Sequence, residues 1–319
     1  MLFLVCGFRK KGRRMVTQTT TASNIPEETQ DQIRLNQRVL IILALLILYV
    51  VWGTTYLGIR FALESFPPYL MMGIRFTIAG GALFAFLKLR GAATPTLKQW
   101  RSATIVGVLL LVGGMGSVAL AEQSVSSGLA ATLVASSPLW ALLFSMRWGA
   151  KPARTEWIGV ALGIFGVALL SLEGNLQANP VGVALVVFAT VSWSLGSVWS
   201  RHLDMPAGGM GNAAEMLVGG IVLLVLGLLR REQIVGVPTT NAVLALAYLT
   251  TFGSLLTMTA YMYLLKTVHP TLATSYAFVN PAIALFLGVL IGGELLTGSV
   301  YIALPVILLG VAFVALRKK

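Results

Sequence analysis

Residues 39–60 have the sequence VLIILALLILYVVWGTTYLGIR, and the first charged side chain in this run is Arg60. A helix crosses the hydrocarbon core of a bilayer with about 20 predominantly apolar residues. Runs of this kind recur to the end of the chain, at 69–89, 102–121, 128–146, 155–172, 181–200, 212–229, 242–265, 271–291 and 299–316. The sequence therefore predicts an all-α membrane protein with ten transmembrane helices.

The composition supports lipid as the solvent. Hydrophobic residues make up 57% and charged residues 11% of the 319 residues, whereas soluble domains carry about 25% charged residues. The single cysteine, Cys6, excludes an internal disulfide, and two histidines are too few to predict a metal site. Since no phosphate-binding GxxxxGK[ST] motif is present, we expect no ATP-driven activity and no cofactor.

The basic residues predict the orientation of the helices. With ten spans and a cytoplasmic N-terminus, nineteen Lys and Arg residues lie on the cytoplasmic side and three lie outside. Cytoplasmic loops of membrane proteins carry an excess of Lys and Arg, so both termini are predicted to be cytoplasmic. This distribution also accounts for the net charge of +12 without a nucleic-acid partner.

The two halves of the chain contain matching residues at a nearly constant separation. Trp52 matches Trp193, and Arg60 matches Arg201, each 141 positions later. Further matches, at separations of 140 and 143, are Arg75 with Glu215 and Pro138 with Pro281. The pattern predicts an internal repeat, and the paired prolines are predicted to interrupt the fourth helix of each half.

Five spans in each half would place the second half upside down relative to the first. Such inverted repeats are common in transporters, where the substrate site lies near the midplane between the halves. The predicted organisation is a disordered cytoplasmic tail over 1–37, a first repeat over 38–173 and a second over 179–316.

Several short segments resemble the drug/metabolite transporter superfamily, specifically its EamA-type members. They are YVVWGTTY (49–56), GIRF (73–76), SSPL (136–139), SYAFVNP (275–281) and GE (293–294). The resemblance covers about 38–316. It implies a ten-helix fold in the inner (plasma) membrane of a bacterium, with a central cavity that usually exports amino acids or related metabolites.

Two charged residues lie within predicted spans, where an ionised side chain costs about 2.5–3.5 kcal/mol and usually faces a cavity or a partner. Arg75 could hold a substrate carboxylate through its planar fork. Glu215 could bind an ammonium group or relay a proton. Alternatively, both side chains extend to the membrane interface and help to pack the helices. Glu122, at the end of the third span, could line the outer mouth of a cavity or be an interfacial loop charge.

Aromatic and amide side chains form the second group of candidates. Trp52 and Trp193 could form an apolar wall for a substrate or could simply pack the bundle. The family resemblance implies that further candidate residues lie on helices around the cavity: Tyr56, Tyr261, Tyr276 and Asn280.

Other classes of protein fit the sequence less well. A membrane-embedded enzyme needs a compact set of reactive groups, and the acidic residues here are scattered. A channel would show a pore-lining ring or filter. The predicted function is therefore transport of a small molecule, with drug efflux as an alternative within the same fold. Gly159-xxx-Gly163 predicts a close helix contact, either internal or in a homodimer.

Overall fold

The computed structural model describes residues 27–125, 130, 133–171, 179–283 and 298–315, and the described residues form helices joined by short turns. We number the described helices in chain order. They are α1 (Glu27–Ile47, continued by Leu48–Trp52 and Gly53–Leu63), α2 (Pro68–Leu89), α3 (Leu97–Gly107, Val108–Gly116 and Ser117–Ala121), α4 (Ser137–Arg147), α5 (Arg154–Ser171), α6 (Pro180–Trp199), α7 (Gly209–Leu229), α8 (Thr240–Thr250, Thr251–Leu256 and Thr257–Thr267), α9 (Pro270–Ala273) and α10 (Gly298–Ala315). Residues 276–283 are also helical.

Six of the described helices are long and apolar enough to cross a membrane, and they coincide with six of the predicted spans. They cover Leu35–Leu63, Pro68–Leu89, Leu97–Ala121, Pro180–Trp199, Gly209–Leu229 and Thr240–Thr267. The other four predicted spans extend into residues outside the described part of the chain, as does the GE segment at 293–294.

The first helix begins earlier than the sequence pattern predicts. α1 starts at Glu27, so residues 27–37, predicted as part of a disordered tail, extend the helix instead. Residues 27–47 contain neither glycine nor proline, and both residues are the strongest helix breakers. Their polarity therefore indicates a helix end outside the membrane rather than an unfolded segment. The remainder of the predicted tail, residues 1–26, lies outside the described residues.

The most extensive helix contacts join the first half of the chain to the second. α2 packs along α7, and α5 packs along α10. Likewise α1 packs on α8, and α3 packs on α6. Each of these pairs therefore buries apolar surface between segments that are distant in the sequence.

Glycines permit the two longest contacts. A Cβ atom at Gly73 of α2 would lie 2.8 Å from the backbone nitrogen of Leu224, and one at Gly310 of α10 would lie 2.8 Å from the carbonyl oxygen of Gly159. Gly163 likewise contacts the ring of Phe278. Close approach at small residues is the usual basis of helix association in lipid. Gly159 and Gly163 thus form internal contacts, with α10 and with Phe278, which is the first of the two alternatives that the motif offered.

Three helices contain π-helical turns, at Leu48–Trp52 in α1, Val108–Gly116 in α3 and Thr251–Leu256 in α8. Such turns are rare, cluster at functional sites and locally shift the hydrogen-bonding register of the backbone. In two of these turns a backbone carbonyl, of Leu109 in α3 and of Gly253 in α8, accepts hydrogen bonds from side chains of other helices.

Candidate functional site

A cavity lies between helices from both halves of the chain. The space open to the centres of water molecules is about 70 Å³, whereas one water needs about 10–15 Å³ on this measure. Its walls come from α1, α3, α4, α6 and the segment 276–283, through Trp52, Thr55, Tyr56, Ile59, Gly114, Met115, Val118, Val134, Ser137, Ala189, Thr190, Trp193, Tyr276 and Asn280. It can hold a small organic molecule that is bounded by aromatic and uncharged polar groups.

Four aromatic rings pack together at one end of the cavity. Trp52 lies with its ring centroid 5.5 Å from that of Trp193 and 4.5 Å from that of Tyr276, both edge to face. Tyr261 contacts both tryptophans at 5.2 Å. Edge-to-face pairs are favourable because the positive ring edge meets the negative face. Trp52, Trp193 and Tyr276 of this cluster line the cavity and form its apolar floor.

Tyr261 supports this floor from behind and does not line the cavity. Its hydroxyl accepts a hydrogen bond from Trp193 Nε1 at 2.9 Å and lies 2.5 Å from Ser197 Oγ. Because Ser197 Oγ already donates to the carbonyl of Trp193, the Tyr261 hydroxyl donates to Ser197. The polar atoms of this buried group are therefore satisfied, which fixes the orientation of the Trp193 ring.

Two polar residues of the cavity differ in how far they are already bonded. Thr190 Oγ1 donates to the carbonyl of Val186 at 2.7 Å, a bond within its own helix. Asn280 Oδ1 is buried and makes no hydrogen bond within 3.5 Å among the described residues, although the Tyr56 hydroxyl lies close enough to interact with the Asn280 side chain. An amide oxygen in this position can accept a hydrogen bond from a bound molecule, so Asn280 is the best-placed polar contact for a ligand.

Arg75 is not in the cavity wall. It is fully buried between α2 and α8, where Nη2 donates to the carbonyl of Gly253 at 2.8 Å and Nε donates to Ser254 Oγ at 2.6 Å. The guanidinium of Arg75 therefore joins two helices, whereas the sequence suggested that it could hold a substrate carboxylate.

Glu215 is also absent from the cavity wall. Its side chain is fully buried in α7, and neither carboxylate oxygen has a hydrogen-bond partner in the described part of the chain. The backbone of Glu215 packs against Gly107 of α3. An unpaired buried carboxylate is costly unless it is neutral, so this residue remains a candidate for binding a proton.

Glu122 follows α3 directly and has two buried oxygens without a hydrogen-bond partner among the described residues. It is not part of the cavity wall. Glu122 as a whole is half-buried, so both alternatives, the mouth of a cavity and an interfacial loop charge, stay predictions.

The paired prolines lie in different local structures. Pro138 occupies the first turn of α4, where a missing N–H costs nothing, and a turn at 135–136 precedes it. Pro281 lies within the helical residues 276–283, and the preceding turn is at 274–275. The helix interruption therefore comes before each proline, at a different distance.

Sequence reasoning missed several cavity residues. Thr55, Ser137 and Thr190 line the cavity, yet hydroxyl residues are common in membrane helices, so residue type alone does not predict a site. Two of them could have been found from their spacing to candidate residues. Thr55 stands three positions after Trp52, about one helical turn, and Ser137 stands 143 positions before Asn280, the same separation as the matched prolines.

The model of the EamA-like transporter family matches this sequence twice, at residues 39–172 and 180–316. The chain belongs to the EamA-like transporter family. A relative in Escherichia coli K12, the uncharacterized inner membrane transporter YedA, is 45% identical over 276 residues, which cover 86% of this chain and 90% of YedA.

More distant matches also cover most of the chain. The uncharacterized transporter YoaV of Bacillus subtilis is 24% identical and covers 85% of this chain and 95% of YoaV. A crystal structure of a 21% identical protein superposes with a TM-score of 0.73 and covers 86% of this chain and 96% of its own; at this identity the likeness concerns the fold. As an EamA-like transporter, the protein is a multi-pass protein of the inner membrane and not an enzyme.

Proposed function

We propose that the protein exports amino acids or related small metabolites by alternating access, as a uniporter or a proton antiporter. The observation that carries this proposal is a cavity of molecular size whose walls come from both halves of the chain. A site between two halves that rock against each other is the arrangement that alternating access requires.

The proposed architecture is two inverted repeats of five helices with both termini in the cytoplasm. Three observations support it. The family model matches each half separately. The matched residues Trp52 and Trp193 touch each other. The π-helical turns of α3 and α8 begin at Val108 and Thr251, which are separated by 143 positions like the matched prolines.

The cavity is on the outer side in this orientation. Its residues in α1 and α3, such as Tyr56 and Val118, lie in the C-terminal halves of those helices. Both helices run from the cytoplasm outward when the N-terminus is inside. We propose on this basis an outward-facing state, with the aromatic cluster on the cytoplasmic side of the cavity.

The chemistry of the walls indicates how a substrate would be held. None of the wall residues in the described part of the chain is Asp, Glu, Lys or Arg. A zwitterionic substrate would be bound through the Tyr56 hydroxyl and the Asn280 amide, with its apolar side chain against Trp52. The same aromatic wall supports the second candidate, efflux of apolar drugs or toxic compounds.

Uptake into proteoliposomes tests the proposal. Purified protein would be reconstituted and assayed with a panel of radiolabelled amino acids and aromatic amines, with and without a proton gradient. We expect saturable transport of at least one amino acid, reduced at least tenfold by Asn280→Ala but not by Trp157→Phe, a control outside the cavity whose side chain is 40% exposed. Transport of the amines alone would favour efflux of drugs, and transport of neither would refute both substrate classes.

Glu215 is the proposed proton carrier if transport is coupled to protons. Its carboxylate is buried and unpaired within the described residues, and Gln has the same shape without the titratable proton. We expect Glu215→Gln to abolish stimulation by an imposed proton gradient while substrate exchange without a gradient continues. Unchanged stimulation in Glu215→Gln would exclude this role.

A further inference from the structure

Arg75 is a buried cation whose described contacts include no carboxylate. Its three guanidinium nitrogens contact the Gly253 carbonyl, Ser254 Oγ and, at 3.7 Å, Met72 Sδ. The guanidinium carbon also lies 4.8 Å from the centre of the Phe76 ring. A charge in the hydrocarbon region is retained only where it does something for the structure or for function.

The acceptor that Arg75 uses is a backbone carbonyl in the π-helical turn of α8. The Gly253 oxygen accepts from Arg75 Nη2 at 2.8 Å, from Trp52 Nε1 at 3.3 Å and from Thr257 Oγ1 at 2.6 Å. Side chains from α1, α2 and α8 therefore converge on one oxygen atom. A charged donor makes the strongest hydrogen bond of the three kinds.

The space around Gly253 leaves little freedom for this junction. A Cβ atom at Gly253 would lie 2.9 Å from Arg75 Nη2 and 3.2 Å from Cγ2 of Thr55. Thr55 and Trp52 both line the cavity. The position of the π-helical turn consequently determines where two wall residues of the cavity stand.

We propose that Arg75 is a positioning residue: it holds the π-helical turn of α8 and, through the shared Gly253 carbonyl, fixes the Trp52 ring in the cavity wall. The proposal rests on the proposed function in one respect, that this cavity is the substrate site. It replaces direct binding of a substrate carboxylate by Arg75, because all three nitrogens already contact the protein and none faces the cavity.

Fluorine NMR of the full-length protein in detergent micelles tests the positioning role without any substrate. The seven tryptophans would be replaced by 5-fluorotryptophan, and the resonances of Trp52 and Trp157 would be assigned with Trp52→Phe and Trp157→Phe. Arg75→Met removes both strong hydrogen bonds, whereas Arg75→Lys retains a charged donor. Arg60→Met is the matched control, because Arg60 is exposed at the end of α1.

We expect Arg75→Met to shift or broaden the Trp52 resonance while the Trp157 resonance stays in place, Arg75→Lys to restore part of the shift, and Arg60→Met to change neither. An unmoved Trp52 resonance in folded Arg75→Met overturns the proposal, as does an equal displacement of both resonances, which indicates a general loss of packing. If Arg75→Met does not fold, Ser254→Ala takes its place, because it removes one of the two strong acceptors. A Trp52 shift there supports the role, and no shift overturns it.

The two proposals fail separately. A displaced Trp52 resonance with no transport of any panel compound leaves the positioning role intact and refutes the proposed substrates. Transport of a panel compound with an unmoved Trp52 resonance supports the proposed substrates and overturns the positioning role.

Discussion

At the scale of single residues, the central contact of the bundle joins two tryptophans that the sequence repeat had paired. Trp52 and Trp193 are 141 positions apart and meet edge to face. Their environments nevertheless differ. The indole N–H of Trp52 donates to a backbone carbonyl, whereas that of Trp193 donates to Tyr261. The two wall residues are therefore held by different partners, although they occupy matching places.

The hydroxyl of Tyr261 is expected to stabilise the protein. In Tyr261→Phe the buried N–H of Trp193 loses its acceptor, and hydrogen bonds between membrane helices contribute on the order of 1 kcal/mol. The free energy of unfolding of the variant, measured by SDS titration in micelles, should therefore be lower by roughly that amount. Tyr263→Phe on the same helix is the control, since Tyr263 is only partly buried. Equal stability of the two variants would contradict the expectation.

At the scale of helices, small residues decide which surfaces meet. α5 and α10 contact each other through Gly159, Gly163 and Gly310, so their backbones approach more closely than larger side chains would allow. A glycine pattern in the sequence predicts such a contact but does not say which helix supplies the other side. The partner of α5 is therefore known only from the structure.

Gly310→Ala is expected to weaken the pairing of α5 and α10. Its new methyl group would lie 2.8 Å from both the Gly159 oxygen and the Gly163 nitrogen, which are backbone atoms that cannot turn aside. Overpacking of this kind costs about 1–3 kcal/mol, measured as a lower free energy of unfolding in micelles.

Gly81→Ala is the matched control for this substitution. The nearest atom to a Cβ at Gly81 is 3.9 Å away, and alanine favours a helix by about 1 kcal/mol over glycine. A Gly310→Ala variant as stable as Gly81→Ala would show that the two helices can separate at no cost.

At the scale of the whole molecule, polar contacts join the two halves of the chain at positions that differ in burial. Glu156 is fully buried and accepts hydrogen bonds from Thr271 Oγ1 at 3.2 Å and from the backbone nitrogen of Ala153 at 3.0 Å, while His269 Nδ1 lies 2.8 Å from its Oε1. By contrast, Lys98 and Asp204 are 3.6 Å apart with largely exposed side chains.

Burial predicts that these two contacts contribute unequally to stability. In Glu156→Gln the buried side chain satisfies its hydrogen-bond partners less well than the carboxylate does. We expect this loss to lower the free energy of unfolding by about 1–3 kcal/mol. Asp204→Asn removes an exposed pair worth less than about 1 kcal/mol. SDS titration of the two variants should show the larger loss for Glu156→Gln, and the reverse order would contradict this assignment.

The proposed orientation, with both termini in the cytoplasm, predicts which loops a reagent outside the cell can reach. In a Cys6→Ser background, which has no other cysteine, Val237→Cys between α7 and α8 should react with a membrane-impermeant maleimide on intact cells. Lys151→Cys between α4 and α5 should react only after the cells are opened. Both sites are exposed in the structure, so burial does not explain a difference, and the opposite labelling pattern would invert the proposed topology.

The sequence alone determined the properties that depend on composition and spacing. Long apolar runs predict membrane helices because a backbone in lipid must satisfy its own hydrogen bonds, and six of those helices are present in the structure. The motifs also identified the family, and five of the eight candidate substrate-binding residues line the cavity.

Only the tertiary structure decided which side chain of an apolar helix faces a cavity, a neighbouring helix or lipid, because in a membrane all three surroundings accept apolar residues and leave little periodic pattern. It placed Arg75 on the Gly253 carbonyl and Tyr261 behind Trp193. It also showed that Gly159 of α5 packs against α10. These outcomes depend on which helices pack together, and the contacts that decide it join residues 68 to 178 positions apart in the sequence.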